Sequence, residues 1–165
     1  MAKRIPPILA KLFMVLFIPF YLLTCNKDEV QANQSIRGEW DVISIDSRFG
    51  ELFEDGINFR ITDEISESGQ LGTFFFSRDS VDFDFTRNDT LFLGRAAWDL
   101  EVEKVREGFF RVNAYTLTIG EQFLFKVDFE DSTRNSEKNA TNAVFYQAPT
   151  SPGFGIFLEM TLEKR

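Results

Sequence analysis

Short segments in which apolar and polar residues alternate are the feature that most limits what this chain can fold into. Val81, Phe83 and Phe85 are separated by single aspartates, and the same alternation recurs in residues 123–129 and 154–163. Successive side chains of a β-strand point to opposite faces, so a two-residue period predicts strands with one face in a core and one in water. The alternation therefore favours a β-protein.

The predicted strands are numerous and short. Besides the three segments above, the candidates are residues 39–45, 57–62, 72–77, 90–93, 98–105, 109–114, 115–119 and 143–146. About eight to ten strands, separated by polar, turn-rich gaps such as residues 63–70, are typical of sandwiches and barrels. We predict an all-β fold with a single antiparallel domain: an up-and-down β-barrel or a barrel-like sandwich.

Two local features refine this prediction. Residues 98–105 fit a strand and also fit a helix face at Trp98, Val102 and Val105. The two-residue alternation has no exception through Glu103, so we favour the strand. Residues 87–89 (Arg-Asn-Asp) separate two strand candidates and predict a hairpin turn.

Composition excludes several functions. The chain has no histidine and one cysteine, which excludes Ser-His-Asp and Cys-His catalysis, His-zinc sites and a disulfide framework. Its formal charge of −8 argues against nucleic-acid binding, which needs a basic surface. We expect no cofactor and no resident metal.

The first 24 residues have the pattern of a secretory signal. Lys3, Arg4 and Lys11 precede an uncharged apolar run over residues 12–24. This run is shorter than the roughly 20 residues that a spanning helix needs, and Pro19 interrupts it. A basic start followed by a short apolar run predicts a signal peptide that is removed, with a spanning helix as the alternative.

The end of this segment resembles the lipobox of bacterial lipoproteins. Residues 22–25 read Leu-Leu-Thr-Cys, with Leu22 three positions before Cys25. The resemblance implies that Cys25 is acylated and becomes the mature N-terminus. The implied partner is therefore a membrane, reached through the acyl chains.

The residues after the cysteine resemble a second signal. Lys27, Asp28 and Glu29 match the Cys-x-Lys-acid-acid pattern that directs some Gram-negative outer-membrane lipoproteins to the cell surface. The match implies an outer-membrane, surface-exposed location. The alternative is a solvated, charged tether. We predict a signal peptide over residues 1–24, a lipidated cysteine with a flexible tether over 25–35, and a β domain over 36–165.

The start of the β domain resembles the lipocalins and lipocalin-like bacterial lipoproteins. Gly38 and Trp40 form the Gly-x-Trp triplet that opens the first strand of that family. The resemblance implies a barrel in which Trp40 packs at the closed end. Lys164 and Arg165 are the candidates for the basic residue that covers this tryptophan. The first long loop, residues 46–56, would lie at the open mouth.

Two functions follow as alternatives. In the leading one, the barrel holds a small apolar or amphiphilic ligand, and Phe83, Phe85, Phe123 and Phe125 line its interior. In the other, the barrel is filled, and exposed phenylalanines together with the acidic surface bind a partner protein. An acidic inhibitor of a basic enzyme is a weaker third reading. Residues 74–76 are three consecutive phenylalanines, so at least one must point outward.

Catalysis and calcium binding are not expected. The acidic pairs Asp82/Asp84 and Glu101/Glu103 alternate onto the wet faces of strands, where solvated charge is the rule. Acidic and amide residues also cluster over residues 128–137, but without the order or the glycine of a calcium-binding loop. We therefore predict no catalytic residues.

Overall fold

The computed structural model describes residues 27–121, 123–130 and 140–165. These residues form one helix and nine strands. In chain order they are α1 (Lys27–Ile36), β1 (Gly38–Leu52), β2 (Phe59–Phe76), β3 (Val81–Arg87), β4 (Thr90–Ala96), β5 (Trp98–Glu107), β6 (Phe110–Ile119), β7 (Phe123–Glu130), β8 (Asn142–Gln147) and β9 (Gly153–Lys164).

The nine strands form a single antiparallel sheet in the order β4-β3-β2-β1-β9-β8-β7-β6-β5. Every pair of consecutive strands is adjacent except β4 and β5, and β9 returns to pair with β1. The predicted all-β, up-and-down architecture is confirmed, and residues 98–107 are a strand, as the alternation favoured. The ladder does not close: β4 and β5 are the two edges. The fold is therefore the barrel-like sandwich of the two forms predicted.

The two edges meet at one point, which we call the seam. Only Ala97 separates β4 from β5, and its carbonyl accepts a hydrogen bond from the Gly120 backbone N–H at 2.8 Å. The Trp98 indole Nε1 donates to the Ser77 carbonyl at 3.1 Å. These bonds tie the end of β6 and the start of β5 to the other half of the sheet. They hold the seam where no strand pairing does.

The sheet folds over so that its two halves pack on each other through aromatic rings. Phe145 of β8 lies 6.1 Å from Phe74 and 6.4 Å from Phe76 of β2, measured between ring centroids. Phe83 of β3 contacts Phe123 of β7 at 5.8 Å. Edge-to-face pairs of this kind add roughly 0.5–1.5 kcal/mol each beyond the burial of the rings.

β1 and β2 are longer than the sequence indicated. The loop expected over residues 46–56 is strand as far as Leu52, and the polar gap expected over 63–70 lies within β2. The reason is irregular register: the β1–β2 pairing shifts between Val42 and Ser44 and again between Phe49 and Gly50. Each shift breaks the two-residue alternation by which strands are found in a sequence.

The bulge in β1 changes which positions of the strand face inward. Between Val42 and Ser44, β1 has one residue more than β9 in their pairing. The inward positions therefore change from Trp40 and Val42 to Ile45 and Ser47, all of which are buried. A strand with strict alternation would turn its outward face into the core at this point.

The turn predicted at residues 87–89 is confirmed. Arg87 pairs with Thr90, and the two central residues, Asn88 and Asp89, have φ values of 50° and 59°. Two consecutive residues with positive φ form the tight hairpin turn that matches the twist of the flanking strands.

Gly72 allows two strands to approach closely. A Cβ at this position would lie 2.0 Å from the Asp84 carbonyl oxygen.

The predicted tether differs from the structure. From Lys27 to Ile36 the chain is the helix α1, and Ala32 and Ile36, four residues apart, are fully buried in the core. Asp28 and Glu29 stand in its first turn, where they complement the positive end of the helix dipole. The polar composition of this segment suggested a tether, because two buried apolar side chains in ten residues leave little trace in a sequence.

The end of α1 is capped from the sheet. The Trp40 indole Nε1 donates to the Ile36 carbonyl at 2.6 Å, and the Lys164 ammonium donates to the Ser35 carbonyl at 2.6 Å. The Lys164 Nζ also lies over the Trp40 ring, 5.1 Å from its centroid. Helix ends leave carbonyls without partners, and cations are favourable there. Burial lowers the pKa of Lys164 below its ordinary value.

Replacing Trp40 tests how much this cap contributes. We expect Trp40→Phe to lower the free energy of unfolding by about 1–3 kcal/mol, because it leaves the Ile36 carbonyl buried without its donor. Urea unfolding followed by far-UV circular dichroism measures the change. Trp98→Phe is the matched control: it also removes an indole hydrogen bond, that to the Ser77 carbonyl, but at a partly buried site, so we expect a smaller loss. An equal loss in both variants would contradict the assigned role of the cap.

Candidate functional site

The four phenylalanines predicted to line a ligand cavity come together in the folded chain. Phe83 and Phe85 are 6.3 Å apart, and Phe123 and Phe125 are stacked at 5.9 Å. The contact between Phe83 and Phe123 joins the two pairs across the interior. Phe85 and Phe125 are almost completely buried.

Further rings fill the space around these four. Phe125 lies 5.6 Å from Phe145, and Phe85 lies 5.3 Å from Phe74. Phe85 also stacks on Phe92 at 5.1 Å. Every one of the four predicted lining residues therefore contacts at least one other ring, and the described interior is a packed aromatic core. Contacts between facing rings favour the filled form of a small barrel over the hollow one.

A cleft at the seam reaches the edge of this core. It has a volume of about 420 Å³, and Phe83 and Phe123 are among its lining residues. Gly94 and Ala96 of β4 form one wall, and Gly120 belongs to the turn on the other side. Gly94 allows the Phe83 ring to lie against the backbone of β4, since a Cβ on Gly94 would lie 2.7 Å from that ring. The volume is within the range of small-molecule sites.

The other predicted site residues do not line this cleft. Trp40 is fully buried beneath the end of α1. Lys27, Asp28 and Glu29 form the first turn of α1, and Asp28 pairs with Lys104 of β5 at 2.6 Å. Cys25 lies outside the described residues.

A second candidate site is formed where β1, β2 and β9 project beyond their neighbours. β3 pairs with β2 only from Gly72 onward, and β8 pairs with β9 only from Leu158 onward. Beyond those points, the three long strands continue as an arm. The arm consists of residues 47–52 of β1, which pair with residues 59–65 of β2 on one side and with residues 153–158 of β9 on the other.

Four apolar side chains share one face of this arm, and we call this face the shelf. They are Phe49, Ile65, Phe154 and Ile156. Phe49 pairs directly with Ile156. Ser47, two residues before Phe49, pairs with Ile65. Directly paired residues, and residues two apart on one strand, lie on the same face of a sheet.

The shelf continues the core face of the sheet. Along β9, Phe154 and Ile156 precede the buried Leu158 and Met160 at two-residue spacing. Phe154 is 82% exposed, whereas Leu158 is buried. The alternation that supplies the core therefore runs on past the last covering strand. An uncovered apolar row of this kind is typical of an interaction site.

The loop at the tip of the arm is well ordered. The Asp55 carboxylate accepts hydrogen bonds from the backbone N–H groups of Ile57 and Asn58, both at 3.0 Å. These bonds lower the pKa of Asp55, with the Asn58 N–H as the larger cause. Arg60 pairs with Glu51 at 2.6 Å. The Ile57 side chain is left in solvent.

The arm is strongly acidic. Residues 46–67 carry seven carboxylates and two arginines, a net charge of −5. Both arginines are already paired: Arg48 with Glu64 at 2.7 Å and with Glu159 at 3.2 Å, and Arg60 with Glu51. The shelf is therefore a row of apolar side chains surrounded by carboxylates, most of which have no basic partner on the arm.

The acidic pairs considered for catalysis do not converge. Asp82 and Asp84, like Glu101 and Glu103, alternate with inward residues on the outer faces of β3 and β5. Asp82 is paired with Arg95 at 3.0 Å. Among the described residues, no cluster of His, Cys, Asp or Glu that could hold a metal ion is found. Residues 131–137 of the acidic cluster lie outside them.

Sequence reasoning found part of the exposed apolar surface. Of residues 74–76, Phe74 and Phe76 are buried and Phe75 is exposed, as alternation requires. Phe154 and Ile156 stood in a predicted strand, but on its core face, where burial was the expectation. Ile65 was missed because it lies in the segment predicted as a polar gap. Its exposure on the arm becomes apparent only when residues 59–76 are seen to form one long strand.

Comparison with known proteins returned no matching family model, no matching curated protein and no matching solved structure. In the part of the chain that the structure describes, no helix combines the length and the apolar character needed to cross a bilayer.

Truncating a ring inside the aromatic core tests whether the interior is filled. We expect Phe125→Ala to cost about 3–5 kcal/mol of unfolding free energy, the usual effect of a cavity in a close-packed core. Leu124→Ala, on the outward face of the same strand, is expected to cost less than about 0.5 kcal/mol. Chemical denaturation measures both. A small loss for Phe125→Ala would indicate a hollow interior and favour a bound ligand.

Proposed function

We propose that this protein is a lipid-anchored outer-membrane lipoprotein at the surface of a Gram-negative cell, and that its filled β domain binds a partner protein through the shelf. The lipobox at residues 22–25 and the charged residues Lys27, Asp28 and Glu29 support the anchor and the location. The proposal includes no catalytic step. In this proposal Cys25 is the acylated residue, and the arm carries the surface that binds the partner.

One observation carries the choice of a partner protein over a ligand. The rings predicted to line a cavity contact one another, while apolar side chains stand exposed on the shelf. Exposed apolar surface is retained where something covers it in the working state. A solid domain with an uncovered row on a projecting arm suits recognition of another polypeptide.

The arm also points away from the proposed anchor. β1 begins at Gly38, next to the end of α1, and reaches the arm at Leu52. Its 15 residues span about 45–50 Å at roughly 3.3 Å per residue. The shelf is therefore held at the end of the domain remote from the start of the β domain, where a partner outside the membrane can reach it.

The charge of the arm specifies the partner. An apolar row flanked by carboxylates is complementary to a segment whose apolar side chains are flanked by Lys or Arg. Unlike charges across such a contact speed association and weaken as salt is added. We therefore infer that the partner presents a basic, apolar segment. The third reading, an inhibitor of a basic enzyme, is one form of this partner.

The resemblance to lipocalin-like lipoproteins gains support from one contact. Lys164, one of the two candidates to cover the tryptophan of the Gly-x-Trp triplet, lies over Trp40. We propose that the β domain is a lipocalin-like barrel that has been filled and extended on one side.

A synthetic peptide of alternating leucine and lysine tests the shelf. We expect it to bind the protein, and the double variant Phe154→Ser/Ile156→Ser to bind it at least about tenfold more weakly. That factor corresponds to roughly 1.4 kcal/mol, less than the burial of one large apolar side chain contributes. Calorimetric titration at low and high salt measures the affinity.

Two controls make this experiment decisive. Leu91→Ser/Leu93→Ser removes exposed apolar side chains of β4, 60% and 71% exposed, outside the arm. We expect it to leave the affinity unchanged. A peptide of alternating leucine and glutamate is expected not to bind. Equal weakening in both double variants would contradict the assignment of the shelf.

The seam cleft supports a second candidate function, the binding of a small amphiphile. It brings Phe83 and Phe123, two of the predicted lining residues, to the surface beside Arg95 and Gly120. An apolar chain laid against the two rings would place its head group beside Glu121 and beside Arg95, which is already paired with Asp82, so an uncharged polar head group fits this position. The small amphiphilic ligand predicted from the sequence would then lie in the cleft at the seam and not inside the aromatic core.

Decanol, an amphiphile with an uncharged head group, is a suitable probe of the cleft. We expect binding to the wild-type protein, and its loss in Ala96→Leu, because the larger side chain occupies the cleft. Ala97→Leu is the matched control, since Ala97 is exposed and does not line the cleft. Native mass spectrometry counts the bound molecules. Unchanged binding in Ala96→Leu would exclude the cleft as the site.

A further inference from the structure

A third feature, neither shelf nor cleft, is the tip of the β5–β6 hairpin. Phe109 and Phe110 form this tip and are 96% and 69% exposed. Glu107 pairs with Phe110 across the turn, so the two rings stand at the end of the hairpin. Two adjacent phenylalanines in water at a turn serve no packing within the described chain.

The tip is basic, although the chain as a whole is acidic. Residues 104–111 hold three basic side chains and one acidic one: Lys104, Arg106, Arg111 and Glu107. Arg106 and Arg111 are directly opposite each other on the paired strands. Like charges in this position repel. Neither has an ion-pair partner among the described side chains.

The tip lies at the same end of the domain as the N-terminal helix. β1, β8 and β6 run in one direction in the antiparallel order, so β6 begins at the end of the sheet where β1 begins. The ion pair of Asp28 with Lys104 fixes the start of α1 beside this hairpin. The tip extends about 10–15 Å beyond Lys104, at roughly 3.3 Å per residue.

The chain before the helix leads to the same place. Cys25 precedes Lys27 by two residues, a separation of at most about 7 Å along the chain. An acyl anchor on Cys25, which is part of the proposed function, would therefore hold the start of α1 close to a lipid surface. The hairpin tip would face the same surface.

We propose that Phe109 and Phe110 insert into the membrane interface, and that Arg106 and Arg111 bind anionic lipid phosphates beside them. This proposal rests on the lipid anchor of the proposed function. Aromatic rings partition into the interface, and basic side chains are attracted to anionic lipid. The repelling arginines then have a ligand that neutralises both. Together, anchor and tip fix the domain in one orientation with the arm outward.

The lone cysteine gives a direct test in the full-length protein, purified from membranes after its own processing. Acylation of Cys25 consumes its thiol, so Phe109→Cys provides the only free thiol for a bimane label. The labelled protein is reconstituted in vesicles of phosphatidylcholine and phosphatidylglycerol. We expect brominated lipid to quench the label, and aqueous iodide to quench it at least about tenfold less than in detergent.

Leu91→Cys is the matched control, because Leu91 is exposed on β4 and away from the tip. We expect iodide to quench its label equally in vesicles and in detergent. Adding Arg106→Gln and Arg111→Gln to Phe109→Cys is expected to abolish the preference for vesicles that contain phosphatidylglycerol.

The outcomes separate the tip from the anchor. The proposal is supported if each variant carries a single label, and if iodide fails to reach the label at position 109 but reaches the label at position 91. A single label that iodide reaches equally at both positions overturns the membrane contact and leaves the anchor intact. Two labels per chain show that the Cys25 thiol is free, which overturns the anchor and the tip contact with it.

Discussion

The contact of aromatic rings between the two halves of the sheet is the interaction on which the rest of this structure depends. Hydrogen bonding does not close the barrel, because β4 and β5 remain unpaired edges. Closure relies on Phe83 against Phe123 and on Phe145 against Phe74, with Ala97 and Gly120 joined at the seam. Rings large enough to span the interior hold the halves together, and the same contacts are the observation that favours a filled interior.

If the interior is filled, binding sites must lie on the surface. Because the strands differ in length, the proposed binding surfaces lie at the two ends of the sheet. Where β3 and β8 stop, the core face of β1, β2 and β9 continues without cover and becomes the shelf. At the other end, the β5–β6 hairpin carries its two phenylalanines and its arginines beside the start of α1. One end is acidic and apolar, the other basic and aromatic, which suits a domain held between a membrane and a partner.

Particular residues show how far the sequence predicted the fold and the candidate site. Strict alternation placed β3, β7 and β9, and the Asn-Asp pair placed a turn, because these depend on neighbours in the chain. The segment of residues 63–70 was missed, since bulges in β1 and β2 change which side chains face inward. The helix α1 was missed because only its burial against the sheet distinguishes it from a polar tether. The phenylalanines predicted to line a cavity did converge, but a sequence does not record how much space remains between rings.

By itself, the sequence determined the all-β class, the outward position of Phe75 and the inward phenylalanines of β3 and β7, because these follow from the two-residue period and from the aromatic content. The lipobox and the charged residues after it are likewise visible in the sequence alone, and they motivate the proposed anchor. Only the tertiary structure decided that the interior is packed, that the sheet stays open at the seam, and that Phe154 and Ile156 are exposed while Leu158 on the same face is buried. The physical reason is that burial depends on which distant strands reach far enough to cover a face, and strand length and register are set by pairings between segments far apart in the chain.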